Sequence, residues 1–258
     1  TQWGSEKIQS TYLPSFANES DIQATFAIQE ATPAFNPFNL KTKATSNNGK
    51  YSIDGEKTLV ILGETADLLL VNAELNGSPE VFIVKRDNSI TAKKSTAMGM
   101  KAAETVTLKF NQTPAELLGD EDFNYPAFLD LGNLMWCAMA VGTCEAVKAY
   151  CIEYANERTA FGEPISHRQS VAFMIADMAI EIDAMRMLIL NAASLAEAGQ
   201  AFHREAYLAR LLCAEKSMQI GTNGVQILGG HGFTKEHPVE RWYRDLRATA
   251  ILHSGLHA

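Results

Sequence analysis

The chain has 258 residues, 47% apolar and 20% charged, which is enough apolar material for one large core or two smaller ones and excludes disorder and collagen-like structure. Its 22 basic and 30 acidic residues leave a formal charge of −8, so the molecule as a whole exerts no electrostatic draw on nucleic acid or an anionic membrane. From about Ile22 to Leu118 the sequence is strand-like. Runs at 24–29, 51–53, 68–73, 81–85 and 105–110 are rich in β-formers, with Asn47-Asn48-Gly49, Asp54-Gly55, Asn76-Gly77-Ser78-Pro79 and Asp87-Asn88 as turns between them. No helical pattern separates the strands, which predicts an antiparallel sheet or barrel rather than a doubly wound parallel one.

After Pro126 the period changes to 3.6. Helices are predicted over Leu131–Glu157, Gln169–Ala198, Phe202–Leu228 and His237–Leu252, with turns at Thr159–Pro164, Gly199 and Gly229-Gly230. Such helices joined by short turns bury their stripes against one another as an antiparallel four-helix bundle, so the fold class is α+β. The stripe Val171, Met174, Ile175, Met178, Ile182, Met185 and Ile189 reads as core filler. The most apolar segment, Leu134–Cys144, is uncharged for eleven residues, short of the ~20 that cross a bilayer, and is expected to be a buried helix.

Cys137, Cys144 and Cys151 recur every seven residues of one helix, roughly 10 Å apart and out of disulfide reach of one another. With Cys213 on another helix, all four read as reduced core thiols, which points to an intracellular compartment. His253 and His257 have the i,i+4 spacing of a metal-binding pair but no third ligand, so no metal site is expected.

The chemistry-bearing signal is a set of segments in order. Asn156-Glu157-Arg158-Thr159-Ala160-Phe161-Gly162-Glu163-Pro164-Ile165, then Gln169, Ala176-Asp177-Met178, Gly224 to Phe233 (GVQILGGHGF), Pro238-Val239-Glu240-Arg241 and Arg244-Asp245 closely resemble the carboxy-terminal bundle of the acyl-CoA dehydrogenase flavoproteins. Tyr12-Leu13-Pro14, the strand ending in Glu30, Tyr51 to Lys57 and Pro114 to Gly119 resemble that family's middle β-domain. The resemblance divides the chain into 1–20, a remnant of or linker from a leading helical domain; 21–125, the middle β-domain; and 126–258, the bundle. The chain opens at Thr1 without Met or signal region, which is read as a missing leading domain or a non-native start.

The resemblance implies that Arg158, Phe161, Gln169, Gln226, Gly229 and Gly230 hold the adenine-dinucleotide end of an FAD lodged mainly in a neighbouring subunit. A guanidinium fork beside a Phe-Gly turn suits a pyrophosphate. Arg244-Asp245 reads as a structural ion pair. The departures from the family pattern fall on the chemistry. The family's base, a Glu in a Glu-Gly-Thr step, corresponds to His253-Ser254-Gly255 here. The alternative base position and the Arg after it correspond to Gly132 and Asn133. The Thr-Glu-Pro-Gly-Ala-Gly-Ser-Asp loop becomes Gln29-Glu30-Ala31-Thr32-Pro33-Ala34-Phe35-Asn36, and the Trp-Ile-Thr step that packs on the isoalloxazine and donates to N5 becomes Leu59-Val60-Ile61.

The chain is therefore expected to be a degenerate subunit of a heteromeric acyl-CoA dehydrogenase with two copies of each chain, acting on a fatty or steroid acyl-CoA. It would have no catalytic residue and a degraded isoalloxazine pocket of its own. It would contribute to the FAD of a competent partner subunit, which passes electrons to an acceptor flavoprotein. The expected compartment is the cytoplasm, or the mitochondrial matrix in a eukaryote. The alternatives are a flavin-free structural or regulatory homologue and a homo-oligomeric dehydrogenase with a displaced base, for which His253 is the candidate.

Overall fold

Alternating burial between residues 24 and 117 produces seven strands: β1 (Ala24–Ala27), β2 (Lys43–Asn47), β3 (Lys50–Val60), β4 (Leu68–Leu75), β5 (Ser78–Lys85), β6 (Ile90–Lys94) and β7 (Val106–Leu117). The structure, a computed structural model, describes residues 3–17, 22–120 and 122–252, in two compact units, the first ending at Tyr125 and the second spanning Pro126–Ile251.

In the first unit β4, β2, β3, β7 and β5 pair in a closed ring, with β1 on β4 and β6 on β7. Ile53, Leu69, Val71, Phe82, Val84, Leu108 and Phe110 fill its core. The sheet is mixed, which corrects the wholly antiparallel expectation: β1 runs parallel to β4, with Ala24 opposite Leu68, and Lys43 of β2 meets Glu74 of β4 in parallel. The β2–β3 hairpin supplies the crossover that a parallel pair requires. Strand β3 runs well beyond the expected Tyr51–Ile53 because Asp54-Gly55 is not a turn. It lies at a register shift inside the strand, where Gly55 has φ 146° and a Cβ would come within 2.7 Å of Thr42 Cα. Strands β2 and β6 escape the sequence pattern because each buries a single side chain, Ala44 and Ile90. Helix α1 (Glu6–Ala17) precedes the sheet, burying Ile8 and Tyr12. Tyr12 OH donates to Glu116 Oε1 at 2.6 Å.

The second unit holds α2 (Tyr125–Glu157), whose first residue closes the first unit, α3 (Gln169–Glu197), α4 (His203–Leu228) and α5 (Val239–Thr249). Helix α2 starts six residues before the expected Leu131, with Pro126 in its first turn, where a missing N–H costs nothing. Cys137, Ala140, Val141, Cys144, Val147, Cys151 and Ala155 place its buried stripe at helical spacing. Met178, Ile182 and Met185 of α3 pack into the same core, the filler role expected of the Met stripe. All four cysteines are buried and free. Helix α2 as a whole is long and apolar enough to cross a bilayer, and half of its most apolar window is buried inside the protein, as in the core helix expected from the sequence.

Arg244 pairs through its Nε with Glu240 Oε2 at 2.8 Å, one turn earlier on α5. The adjacent Asp245 also acts on the Arg244 charge.

Candidate functional site

Helix α2 ends at Glu157, and the chain turns back at once. Arg158 N–H donates to Tyr154 O and Arg158 O accepts from Ile165 N–H, both at 2.9 Å. Between them β8 (Thr159–Ala160) and β9 (Glu163–Pro164) form a two-residue hairpin. Its central residues Phe161 (φ 57°) and Gly162 (φ 86°) both lie in the left-handed region, as this turn demands. Glycine takes that conformation freely, whereas at Phe161 it costs on the order of 1 kcal/mol. Strain of this kind gathers at functional sites. The Phe161 ring is 95% exposed, with the Arg168 guanidinium 5.6 Å from its centroid. Arg168 in turn reaches Glu163 Oε1 at 3.2 Å.

The turn after α4 is tied to the end of α2, just before this hairpin, through Tyr154. Tyr154 OH lies 2.7 Å from His231 Nδ1 and 3.5 Å from Leu228 O, joining the last turn of α2 to the Gly229–Phe233 turn that follows α4. Gly229 caps α4 with φ 57° and ψ −128°, a conformation that glycine takes and side-chain-bearing residues avoid, and donates its N–H to Gln226 O. Gln169 opens α3 just after the hairpin, and the Val171 and Ala172 N–H groups of its first turn donate to Arg168 O. Arg158, Phe161, Gln169, Gln226, Gly229 and Gly230, the six predicted cofactor residues, thus stand at one end of the bundle and are all exposed. Arg168 is paired with Glu163, whereas Arg158 has no acidic partner among the described residues. An unpaired guanidinium beside a helix N-terminus and a glycine turn fits an anionic phosphate chain.

The sequence pattern did not single out the second layer of this end. Tyr150 OH lies 2.7 Å from His237 Nδ1, and the His231 and His237 rings are 5.5 Å apart. The signal was present as Tyr150 and Tyr154 one turn apart on α2 and two histidines flanking a Gly-Phe pair. Two glycines hold the layer for steric reasons. A Cβ on Gly232 would come 2.4 Å from Val225 O, and one on Gly224 2.6 Å from Val147 Cγ1. Gly224→Ala is expected to destabilise by about 1–3 kcal/mol through overpacking. Gly232→Ala must in addition displace the turn, because the clash is with backbone. Thermal melts of the two variants check both, at roughly 2–4 °C per kcal/mol in a chain of this size.

In the first unit the loop after β1 is built on a buried ion pair. Glu30 accepts from the peptide N–H groups of Lys41 and Thr42, both at 2.9 Å, and from Lys57 Nζ at 2.9 Å. Lys57, fully buried, also donates to Ile28 O at 3.2 Å. Burial raises the Glu30 carboxyl, but the Lys57 charge and the two backbone donors outweigh it and hold the group below its ordinary range. Burial pulls Lys57 down to about 8 against the attraction of Glu30.

Two features bear on an isoalloxazine. Phe35 is buried in the loop where the family pattern has a small residue. Ile61 contributes a carbonyl that already accepts from Thr25 Oγ1 at 2.7 Å, and an aliphatic side chain with nothing to donate. The residues at the bundle end have the charge and backbone that suit the phosphate end of FAD, while Phe35 and Ile61 bring bulk and an aliphatic side chain to the positions that the family resemblance relates to its redox end.

The base positions are equally plain. Gly132 and Asn133 are buried near the start of α2, and His253 and His257 lie outside the described residues. A carboxylate does occur two residues earlier: Asp130, which receives His203 Nδ1 at 2.9 and 3.1 Å and whose pKa burial raises. Two residues on a helix are ~200° apart, so Asp130 points away from the Gly132 direction. Among the described residues no three His, Cys, Asp or Glu side chains gather as a metal site.

Comparison with known proteins matches residues 126–255 to the acyl-CoA dehydrogenase C-terminal domain. The acyl-CoA dehydrogenase of Bacillus subtilis (strain 168) is 31% identical over 262 residues, covering 96% of this chain and 69% of that protein. The short-chain-specific acyl-CoA dehydrogenase of Megasphaera elsdenii is 32% identical over 270 residues, covering 97% and 69%. Among solved structures, butyryl-CoA dehydrogenase from Megasphaera elsdenii superposes with a TM-score of 0.88 at 29% identity, covering 99% of this chain and 70% of that one. A structure described as the electron transferring flavoprotein of Acidaminococcus fermentans gives 0.89 at 29%, with the same coverage. These matches run through both units and include each segment on which the resemblance rested, and the chain belongs to the acyl-CoA dehydrogenase family of FAD-dependent oxidoreductases.

Proposed function

We propose that this chain is the non-catalytic subunit of a hetero-oligomeric acyl-CoA dehydrogenase. It lends Arg158, Phe161, Gln169, Gln226, Gly229 and Gly230 to the adenine-dinucleotide end of an FAD held by a competent homologous subunit. The observation that carries this reading is the asymmetry of the two ligand-facing regions. The bundle end presents an unpaired guanidinium and a strained, exposed aromatic, while the loop of the first unit is packed by Phe35 and lacks a donor at Ile61.

When bound, FAD supplies the hydride acceptor for α,β-dehydrogenation of an acyl-CoA thioester. The work of this chain is positional. Arg158 clamps phosphate oxygens with its planar fork, Gly229 and Gly230 let backbone approach them, and Phe161 and Gln226 cover the adenine side. A partner-facing surface is available on α3, where Phe173, Ile180, Met187 and Leu190 are each more than half exposed and share a face at near-heptad spacing, outside the core stripe. The competent subunit supplies base, isoalloxazine pocket and substrate cleft, and passes electrons to an acceptor flavoprotein.

The test is flavin stoichiometry. The chain purified alone is expected to carry no FAD, and the complex with a competent subunit one FAD per heterodimer. A full flavin complement in the isolated chain, with turnover of an acyl-CoA, overturns the proposal in favour of a displaced base. Absence of flavin in every combination overturns it in favour of a flavin-free homologue.

A further inference from the structure

His231 follows Gly229-Gly230 directly in the turn after α4, and its side chain is exposed. Its Nδ1 lies 2.7 Å from Tyr154 OH. Tyr154 stands one turn before Arg158 on α2, and the Arg158 N–H still donates to Tyr154 O at 2.9 Å, so the helical repeat holds and the two side chains share a face. Tyr154 thus sets His231 on the Arg158 side of the bundle end.

The same hydroxyl fixes which ring nitrogen is turned to a ligand. Tyr154 has one hydroxyl proton and two acceptors in reach, His231 Nδ1 at 2.7 Å and Leu228 O at 3.5 Å. Given to the nearer one, it leaves the ring hydrogen of a neutral His231 on Nε2. When the ring gains a proton, Nδ1–H donates to the hydroxyl oxygen, whose own hydrogen turns to Leu228 O. Nε2 is a donor in both states, and the protonated state adds a charge.

The groups that face His231 are Tyr154 of α2, the Leu228 carbonyl of α4 and the His237 ring just before α5, 5.5 Å away. His237 is half-buried, with its Nδ1 2.7 Å from Tyr150 OH and the Tyr154 ring 5.6 Å from its own. Two imidazolium rings so close repel each other, so the pair takes one charge, at His231, the ring in water. Elsewhere His167 lies 3.3 Å from Glu163 and His203 lies 2.9 Å from Asp130. Among the described residues no carboxylate holds His231, and an anion brought to it meets no competitor.

We propose that His231 is a further phosphate ligand of the shared dinucleotide site, a donor when neutral and a second cation beside Arg158 when protonated, with Tyr154 as the residue that positions it. The inference rests on the FAD site proposed for this end of the bundle. Imidazole changes charge between pH 5 and 8, whereas the diphosphate chain of FAD keeps its charge over that range. Binding therefore takes up a proton at His231 and tightens as the pH falls.

The experiment strips the assembled complex of flavin and titrates FAD back at steps from about pH 8 to about pH 5.5. Parent affinity is expected to rise roughly tenfold over that range, the worth of one charge-assisted hydrogen bond. His231→Gln keeps a donor without the charge and is expected to stay flat, near the alkaline value of the parent. His231→Lys is charged throughout and is expected to bind at pH 8 about as tightly as the parent does in acid. Tyr154→Phe, without the positioning hydroxyl, is expected to weaken FAD across the range and to reduce the slope. His167→Gln is the control for the imidazole beside the hairpin, and the slope should survive it. A slope that persists in His231→Gln or vanishes in His167→Gln overturns the proposal, as does a His231→Lys no tighter at pH 8 than His231→Gln. If Arg158→Ala releases FAD while both His231 variants bind like the parent, the shared site stands and the role of His231 falls. If the parent complex binds no flavin, the two fall together.

Discussion

Arg158→Ala in the assembled complex is expected to strip FAD while leaving the bundle folded. A charge-assisted hydrogen bond to phosphate contributes about 1.5–3 kcal/mol, so FAD affinity should fall roughly ten- to hundredfold. Arg158 is exposed at the end of α2 and bears on no core packing, so stability should stay within about 0.5 kcal/mol. Arg158→Lys separates charge from shape: it keeps the cation and loses the planar fork, and an intermediate loss is expected. The measurement is the flavin absorbance per protomer after dialysis, with the melting temperature of the flavin-free protein as control. Unchanged occupancy in Arg158→Ala would remove the main support for the shared site.

The largest effect on stability is expected at Lys57. Its ammonium is fully buried against Glu30 at 2.9 Å. Lys57→Met leaves that carboxylate in the core with two peptide donors and no counter-charge, which costs about 3–5 kcal/mol. The double variant Lys57→Met/Glu30→Gln removes the uncompensated charge and should recover part of the loss, the remainder reflecting the Lys41 N–H left without an acceptor. The pair also sets a pH signature. Lys57 binds its proton less tightly in the folded protein, near pH 8, than its ordinary value of 10.5. Below about 8 both states are protonated and the burial cost is fully present; above it the folded state sheds a proton the unfolded state keeps, so stability rises toward 10.5. Glu30 is held below its ordinary value of 4.5, so its contribution is present above that pH and is lost as the pH falls through the lower folded value. Urea midpoints across about pH 2 to 10 should show both slopes in the parent, and the alkaline one should vanish in Lys57→Met.

The helices of the bundle were legible because burial and helical period coincide: Met178, Ile182 and Met185 recur at helical spacing and all lie in the core. The sheet was less so. Asp54-Gly55 has the composition of a turn and sits inside a strand, because the register shift there needs a residue without a Cβ. The parallel pairing of β1 with β4 joins segments some forty residues apart, and no local pattern encodes it. The turns at the bundle end were legible as turns, since Gly162 and Gly229 sit at positive φ that glycine takes readily. The Lys57–Glu30 pair and the buried Arg210 were not. A buried lysine on a strand and an arginine among helix residues read as surface charges until tertiary neighbours turn them inward.

The hairpin tip at Phe161 bears on how such a protein fares before it is assembled. The chain by itself shows solvent an aromatic ring that is 95% exposed and an α3 face bearing Phe173, Ile180 and Met187, surface of the kind that drives self-association and recognition by quality-control machinery. Under the proposed hetero-oligomeric assembly, synthesis in step with the partner chain would keep that surface covered, and the scarcer of the two subunits would set abundance in the cell.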